Sequence, residues 1–427
     1  MSTGAGRETV AVVGAGVSGL TAAHVLARSA DVVLLESEPR FGGHAHTHDV
    51  TDSAGRTLAV DSGFIVHNQR TYPTLLRLFA ELDVPTQESE MSMSVHCEGC
   101  GLEYAGARGL RGLFAAPSAA NPQYLRMLLE VKKFHRQAQR VLDSEQLDSL
   151  TLGGFLEVGG YSQYFVRHFM VPFVSAVWSA GPQTSLAYPA KYLFRFFAHH
   201  GYLSVGGSPT WRTVTGGSRT YVDALTAALP AARTSAPVRG ITRHADGVTV
   251  TGEDGTTTEV DRVVVATHAD TALGMLADAT PDEKTVLGAF EYSRNETVLH
   301  TDTSVLPRHA GAAASWNYRL PSCEAGELGQ QTILSYDMNR LQRLESADHH
   351  VVTLNSTDRL DPARVIATMS YTHPTYTLDS VAAQQRLPEL QRPGSRTAFA
   401  GAYHGWGFHE DGALAGLRAA EALGGRW

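Results

Sequence analysis

Short apolar runs and helical spacing alternate at the start of the chain. Residues 9–13 are an unbroken apolar run of strand length, and Leu20, Ala23 and Ala27 then recur at helical spacing. A second short run, 31–35, follows. Strand, helix and strand within about thirty residues predict a βαβ unit in a parallel sheet. Beyond Gly63 a strand, a helix over 72–82 and strand-like alternation in 91–97 are predicted.

The longest helical signal covers 125–142. Leu128, Val131, Ala138, Val141 and Leu142 share one face, and Lys132, Lys133, Arg136 and Arg140 lie elsewhere. Aromatic residues crowd between Tyr161 and Trp211, which predicts a second, largely helical unit. Residues 209–225 then pass through a glycine turn into a helix. Short strands are expected at 238–242 and 247–251, a hairpin turn at Asp254-Gly255 and one buried strand over 259–266. The chain closes with a strand up to Gly401 and a helix opening near Glu410, whose Ala413, Leu417, Ala420 and Leu423 face inward.

Between the first strand and its helix stand Gly14, Gly16, Ser18 and Gly19, with the glycines at G-x-G-x-x-G spacing. Gly14 permits the tight turn, Gly16 lets the backbone approach a pyrophosphate, and Gly19 lets the helix pack closely on the sheet. The phosphates meet the helix N-terminus, where free N–H groups and the dipole favour an anion. Glu36, at the end of the second strand, is placed to accept hydrogen bonds from ribose hydroxyls and disfavours a 2′-phosphate. A dinucleotide other than NADP is expected.

At 427 residues and 43% hydrophobic, the chain is globular and long enough for two or three domains. A net charge of −8 without a Lys/Arg cluster argues against nucleic acid. No uncharged apolar stretch reaches membrane-spanning length. The most apolar region, 164–180, is interrupted by Arg167, His168 and Pro172, and reads as a buried helix and bend rather than a lipid-facing surface. The first residues lack a basic start with an apolar core, so a cytoplasmic protein is expected. Cys97 and Cys100 form a C-x-x-C, but the third cysteine, Cys323, is distant, so a glycine hairpin with incidental cysteines and no metal is expected.

With both ends considered, the chain resembles the FAD-dependent amine oxidase, protoporphyrinogen oxidase and phytoene desaturase superfamily. The resemblance rests on GAGVSGL, GGHAHTH, VDSGFIVHNQRTYPTL, SAVWS, PTWRTVTGGSRTYV, ASWNY, SYDMNRLQ and GWGFHEDG. Within it, the chain is most similar to a bacterial branch of predicted NAD/FAD-binding proteins often encoded beside cyclopropane-fatty-acid-synthase-like methyltransferases. The resemblance implies an α/β fold: a Rossmann-like FAD-binding domain of the glutathione-reductase type (1–70, 209–269 and 392–427) with an interleaved α+β substrate domain (71–208 and 270–391). It implies FAD, with Arg40, Gly42 and Gly43 as the extension that follows Glu36. By the same resemblance His44 stands beside the flavin, Gly63, Phe64 and Ile65 pass its ring, and Val238 meets the adenine. Gly401 approaches the pyrophosphate, Ala402 replaces the family's acid, and Glu410, Asp411 and Gly412 open a helix under the pyrimidine edge.

The chemistry implied is hydride removal from an apolar, fatty-acyl or lipid-like substrate. Flavin amine oxidation and a non-redox isomerisation are the alternatives, and a methyltransferase partner or peripheral membrane contact is compatible with the branch. The lysine typical of amine oxidases is not found, since Lys191 and Lys284 fall in no matching motif. His404, His409 and His44 are the candidate acid–base groups. His44, His46 and His48 alternate as on one strand face. Trp178, Trp316, Trp406 and Phe408 are candidates for an apolar substrate pocket, with Trp406 and Phe408 preferred.

Overall fold

The computed structural model describes residues 7–144, 148–203, 208–323, 331–392 and 394–427. Residues 1–6, on which the expectation about a leader rests, lie outside them. Five parallel strands form the first sheet, in the order Ala231–Arg233, Asp31–Leu35, Thr9–Val13, Arg262–Val265 and Thr397–Phe399. Its centre is valine-rich because both faces are covered: Val12 lies between Leu34 and Val264 in register.

On one face lies helix Val17–Leu26, itself covered by helix His409–Ala422. A side chain at Gly416 would meet the Ser18 carbonyl at 2.1 Å, so the helices touch at the backbone there. The first helix is therefore buried on nearly every side and lacks the single apolar face its spacing suggested. An antiparallel sheet of Val238–Arg243, Val248–Gly252 and Thr257–Val260 covers the opposite face.

The single strand expected over 259–266 is two strands in different sheets. The switch is at Asp261, whose carboxylate accepts from the Thr9 amide at 2.7 Å and whose own amide donates to the Thr9 carbonyl. Two backbone-directed bonds turn the chain where an apolar count sees one run.

The second unit is a seven-stranded sheet ordered Val365–Thr375, Glu291–His300, Val351–Leu354, Leu334–Asp337, Trp316–Leu320, Met93–Cys97 and Glu103–Tyr104. Helices Pro122–Leu142, Leu152–Val158, Val171–Trp178 and Ala190–His200 pack around an aromatic core containing Phe134, Phe155, Phe165, Phe194 and Phe197. The longest helix opens at Pro122, with the Asn121 side chain accepting from the Gln123 amide. The apolar stretch around Phe165, Met170 and Val174 is interior. Among the described residues no helix is long and apolar enough to cross a membrane. Helix Pro73–Glu81 sends Leu75, Leu78 and Phe79 into the same core as Val10 and Leu20. It packs with the first unit, beyond the expected boundary at 70.

Candidate active site

A cavity of about 560 Å³ runs along the ends of the parallel strands, within the range of small-molecule and cofactor sites. Gly14, Gly16, Ser18, Glu36 and Gly43 line one end. Gly14 has φ +97°, and a Cβ there would meet the Ala266 carbonyl at 2.7 Å. A Cβ on Gly19 would overlap the Gly14 carbonyl at 1.8 Å, so Gly19 serves packing and stands behind the wall. Gly16 differs: a Cβ there meets nothing within 4 Å, and no side chain caps the helix it begins. Space and unmet helix N–H groups at one point make an anion cradle.

Glu36 is buried, and its carboxylate accepts from the Ala15 amide at 2.7 Å and the Glu38 amide at 2.9 Å. Those bonds fix the acid at the cavity edge near Val238. Arg40 does not line the cavity; its guanidinium lies 3.5 Å from the Phe41 and Ala45 carbonyls. Gly42 also stands behind the wall, donating from its amide to the Ala15 carbonyl and so drawing the extension against the glycine turn.

At the other end the wall carries His44, Gly63, Phe64, His268, His373 and His409. The expectation that His44, His46 and His48 share a strand face fails. The strand is Thr47–Thr51, and His44 sits in the turn before it, facing the cavity. His46 instead bonds Tyr371 through Nδ1 at 2.9 Å, and His48 bonds Ser62. His44 Nε2 is buried without a hydrogen-bond partner among the described residues. Burial, then His373 and His268, push its pKa well below the usual histidine range. Burial also lowers His373 to about 4 and His409 to about 3. These rings are neutral near pH 7 and serve as hydrogen-bonding groups, not as stored protons. His268 and His373 escaped sequence reasoning because no motif sets them apart from the other histidines of a chain with 19.

The C-terminal loop is positioned by its acids. Glu410 accepts from the Thr74 and Leu75 amides at 3.0 and 2.9 Å, capping helix Pro73–Glu81, and Asp411 accepts from the Phe408 amide at 2.9 Å. Neither Glu410 nor Asp411 lines the cavity, where this segment contributes Gly407, Phe408 and His409 instead. Gly412 packs against Val17 and Ser18, behind the wall. Gly401 and Ala402 do line it. His404 lines neither cavity; it packs on Tyr403, its Nε2 lacks a partner among the described residues, and burial lowers its pKa to about 3.

A second chamber of about 150 Å³ adjoins the first, sharing Gly63, Phe64, His373, Pro374, Gly407 and Phe408. Trp178, Phe196, Trp211, Trp316 and Ile65 complete much of its wall. The preference among aromatics is therefore corrected: Trp178 and Trp316 line the chamber with Phe408, whereas Trp406 turns toward Tyr192 and His199. The Trp406 carbonyl accepts from Trp178 Nε1 at 2.9 Å, so Trp406 supports the wall from behind. Lys191 bonds Asp148 and the Ser144 carbonyl, and neither it nor Lys284 reaches the chamber.

A discontinuous parallel sheet with a cavity at its glycine turn, closed by the C-terminal helix, defines a dinucleotide-binding flavoprotein. Residues 17–294 match the family of flavin containing amine oxidoreductases, and the chain belongs to it. Its cofactor is FAD, which the open face of Gly16, the uncapped helix and the partnerless His44 Nε2 fit. The Mycobacterium tuberculosis protein AofH, which carries the name of a flavin-containing monoamine oxidase, is 29% identical over 274 residues, or 60% of this chain. The match spans 56% of that relative's length. Cyclohexylamine oxidase from Brevibacterium oxydans IH-35A shares the fold, with a TM-score of 0.70, 17% identity and coverage of 98% of this chain and 99% of that one. A CLA-producing fatty acid isomerase from P. acnes does so too, with a TM-score of 0.68, 16% identity and 98% coverage of both chains.

Proposed function

We propose that the protein is an FAD-dependent oxidoreductase that removes hydride from an apolar, fatty-acyl or lipid-like substrate and passes the electrons to oxygen or another acceptor. The observation that carries this reading is the chamber's chemistry. Among the described residues its wall holds no Lys, Arg, Asp or Glu, while Trp178, Phe196, Trp211, Trp316 and Phe408 supply large apolar faces. An ammonium entering such a site loses water without gaining a counter-charge, whereas an acyl segment gains by leaving water.

FAD supplies the hydride acceptor when bound. The chain's own residues do the rest: Phe408 and Trp178 hold one segment of the substrate beside Gly63 and Phe64, where the chamber meets the cofactor cavity, and exclude water from it. His44 and His373, neutral and buried, orient polar edges at that junction. His44 lines the cavity with a buried Nε2 that has no partner among the described residues, whereas His409 Nε2 bonds the Tyr221 hydroxyl at 3.0 Å and His404 lies outside.

Amine oxidation is the second reading, favoured by the family and by AofH. Aromatic walls also accept a cation through their faces. Anaerobic mixing of the holoprotein with fatty acids of varied unsaturation and, separately, with primary amines decides between them through the flavin absorbance. Bleaching by acyl substrates alone is expected. Bleaching by amines alone overturns the lipid reading, and double-bond migration only after the flavin has been reduced beforehand indicates an isomerase.

A further inference from the structure

We propose that Cys97, Cys100, Cys323 and His168 form a structural zinc site. The four side chains come from three distant parts of the chain, yet their ligating atoms all lie within 4.8 Å of one another. Cys97 Sγ is 3.1 Å from Cys323 Sγ, and His168 Nε2 is 3.6 Å from both Cys100 Sγ and Cys323 Sγ. A tetrahedral zinc with bonds of about 2.3 Å to sulfur and about 2.0 Å to nitrogen sets sulfur and nitrogen about 3.5 Å apart and two sulfurs about 3.8 Å apart, so the His168 distances already fit and the Cys97–Cys323 pair would open by several tenths of an ångström on binding. The closest sulfur pair lies well beyond the roughly 2.05 Å of a disulfide, and all three cysteines are free.

The backbone brings the ligands together from several directions. Cys97 ends strand Met93–Cys97, and Cys100 lies in the turn that leads to Glu103–Tyr104. The Cys97 amide donates to the Leu102 carbonyl, and the Gly101 amide, at φ +67°, donates back to Cys97. Cys323 follows strand Trp316–Leu320, which pairs in parallel with Met93–Cys97 so that Leu320 stands opposite Cys97. Gly99 permits the approach, since a Cβ there would meet the Cys323 amide nitrogen at 2.8 Å.

His168 completes the set from the helical unit. It is 1% exposed and sits on the π-turn Val166–Met170, a local widening of a helix that recurs at functional positions. Its Nδ1 donates to the Tyr164 carbonyl at 3.1 Å, and Nε2 faces the sulfurs. That arrangement is the one metal-bound histidines adopt. Arg167 donates to the Cys323 carbonyl at 2.6 Å and so holds the backbone of that ligand against the helical unit.

None of the four residues lines either cavity, and four protein ligands leave no open position, so the metal's role is structural. It joins the edge of the seven-stranded sheet to the helix that carries Trp178 into the chamber wall. The site is independent of which substrate the enzyme takes.

Metal analysis of the purified holoprotein after extensive dialysis tests the proposal. About one zinc per chain is expected, with the thiols unreactive toward Ellman's reagent until a strong chelator removes the metal. Exchange with cobalt(II) should give the red ligand-field bands of a tetrahedral thiolate site, clear of flavin absorption. Cys100→Ser and His168→Ala should lose the zinc and keep the FAD; should they fail to fold, the wild-type metal content and cobalt spectrum still decide. A wild-type protein without zinc whose thiols react freely overturns the site, as does a Cys97–Cys323 disulfide in non-reducing peptide mapping.

Discussion

His409 lies flat against Phe64, with ring centroids 3.7 Å apart and planes 10° apart. Phe64 belongs to the Gly63–Phe64 stretch of the cavity wall and His409 to the start of the last helix, so this stack joins two distant parts of the chain at the end of the cavity opposite the glycine turn. Because His409 is also tied to Tyr221, its part is to position the wall.

His409→Ala should cost about 1 kcal/mol through loss of the stack and lower the flavin content of the purified protein. The pH dependence of flavin reduction should stay as in the wild type. A lost ionisation in that profile, with FAD still fully bound, would instead make His409 an acid–base group. Thermal melts, flavin absorbance and stopped-flow reduction read the three quantities.

The two glycine substitutions should part company. Gly19→Ala forces a Cβ into the Gly14 carbonyl and should yield little folded protein. Gly16→Ala meets open space in the protein, so it should fold normally and weaken FAD binding at least tenfold, about 1.4 kcal/mol, because the methyl occupies the pyrophosphate's place. Circular dichroism and flavin titration distinguish the two.

Glu410 joins two helices that are far apart in sequence, with charge-assisted bonds to the first amides of Pro73–Glu81. Glu410→Ala should destabilise the fold by about 2–3 kcal/mol, and Glu410→Gln by less, since an amide oxygen still accepts one bond. Denaturant unfolding measures both. Equal losses would mean that the charge contributes nothing.

Acid should destabilise the protein between pH 6.5 and about 4. Burial is the leading cause that lowers His67, His200, His300 and His373 to about 4 and His46, His404 and His409 to about 3. In that window the unfolded chain binds protons that the folded one refuses, so stability falls as pH falls. Burial raises Asp61 to about 6 and Asp411 to about 7, and these act the other way, since the folded protein keeps protons there that the unfolded chain releases above about 4. These seven histidines, with His44 lowered as well, outnumber Asp61, Asp411 and the likewise raised Glu410 and leave the net slope positive, so Tm should drop steadily from pH 6.5 to 4 in scanning fluorimetry of the holoprotein. A flat or rising Tm on acidification would refute this balance.

Much of the cofactor site was legible because its demands are local. A turn that tolerates only glycine, an acid at the end of the next strand and a glycine doublet soon after are backbone requirements written within thirty residues around Gly14, Glu36 and Gly43. Strand Thr9–Val13 and helix Pro73–Glu81 were equally plain, since each has one apolar period. The errors arise where a distant partner decides. Asp261 splits an apolar run because Thr9 takes both of its bonds, and His44 leaves the strand it alternates with because the turn before Thr47 faces the cavity.

The amino-acid order by itself thus determined the cofactor, the parallel sheet that carries it and the family. Only tertiary structure decided which aromatic rings line the smaller chamber, Trp178 and Trp316 rather than Trp406, and that Cys323 comes to lie beside Cys97 across 226 positions. Backbone conformation answers to neighbours along the chain, whereas the convergence of side chains depends on how sheets and helices close on one another.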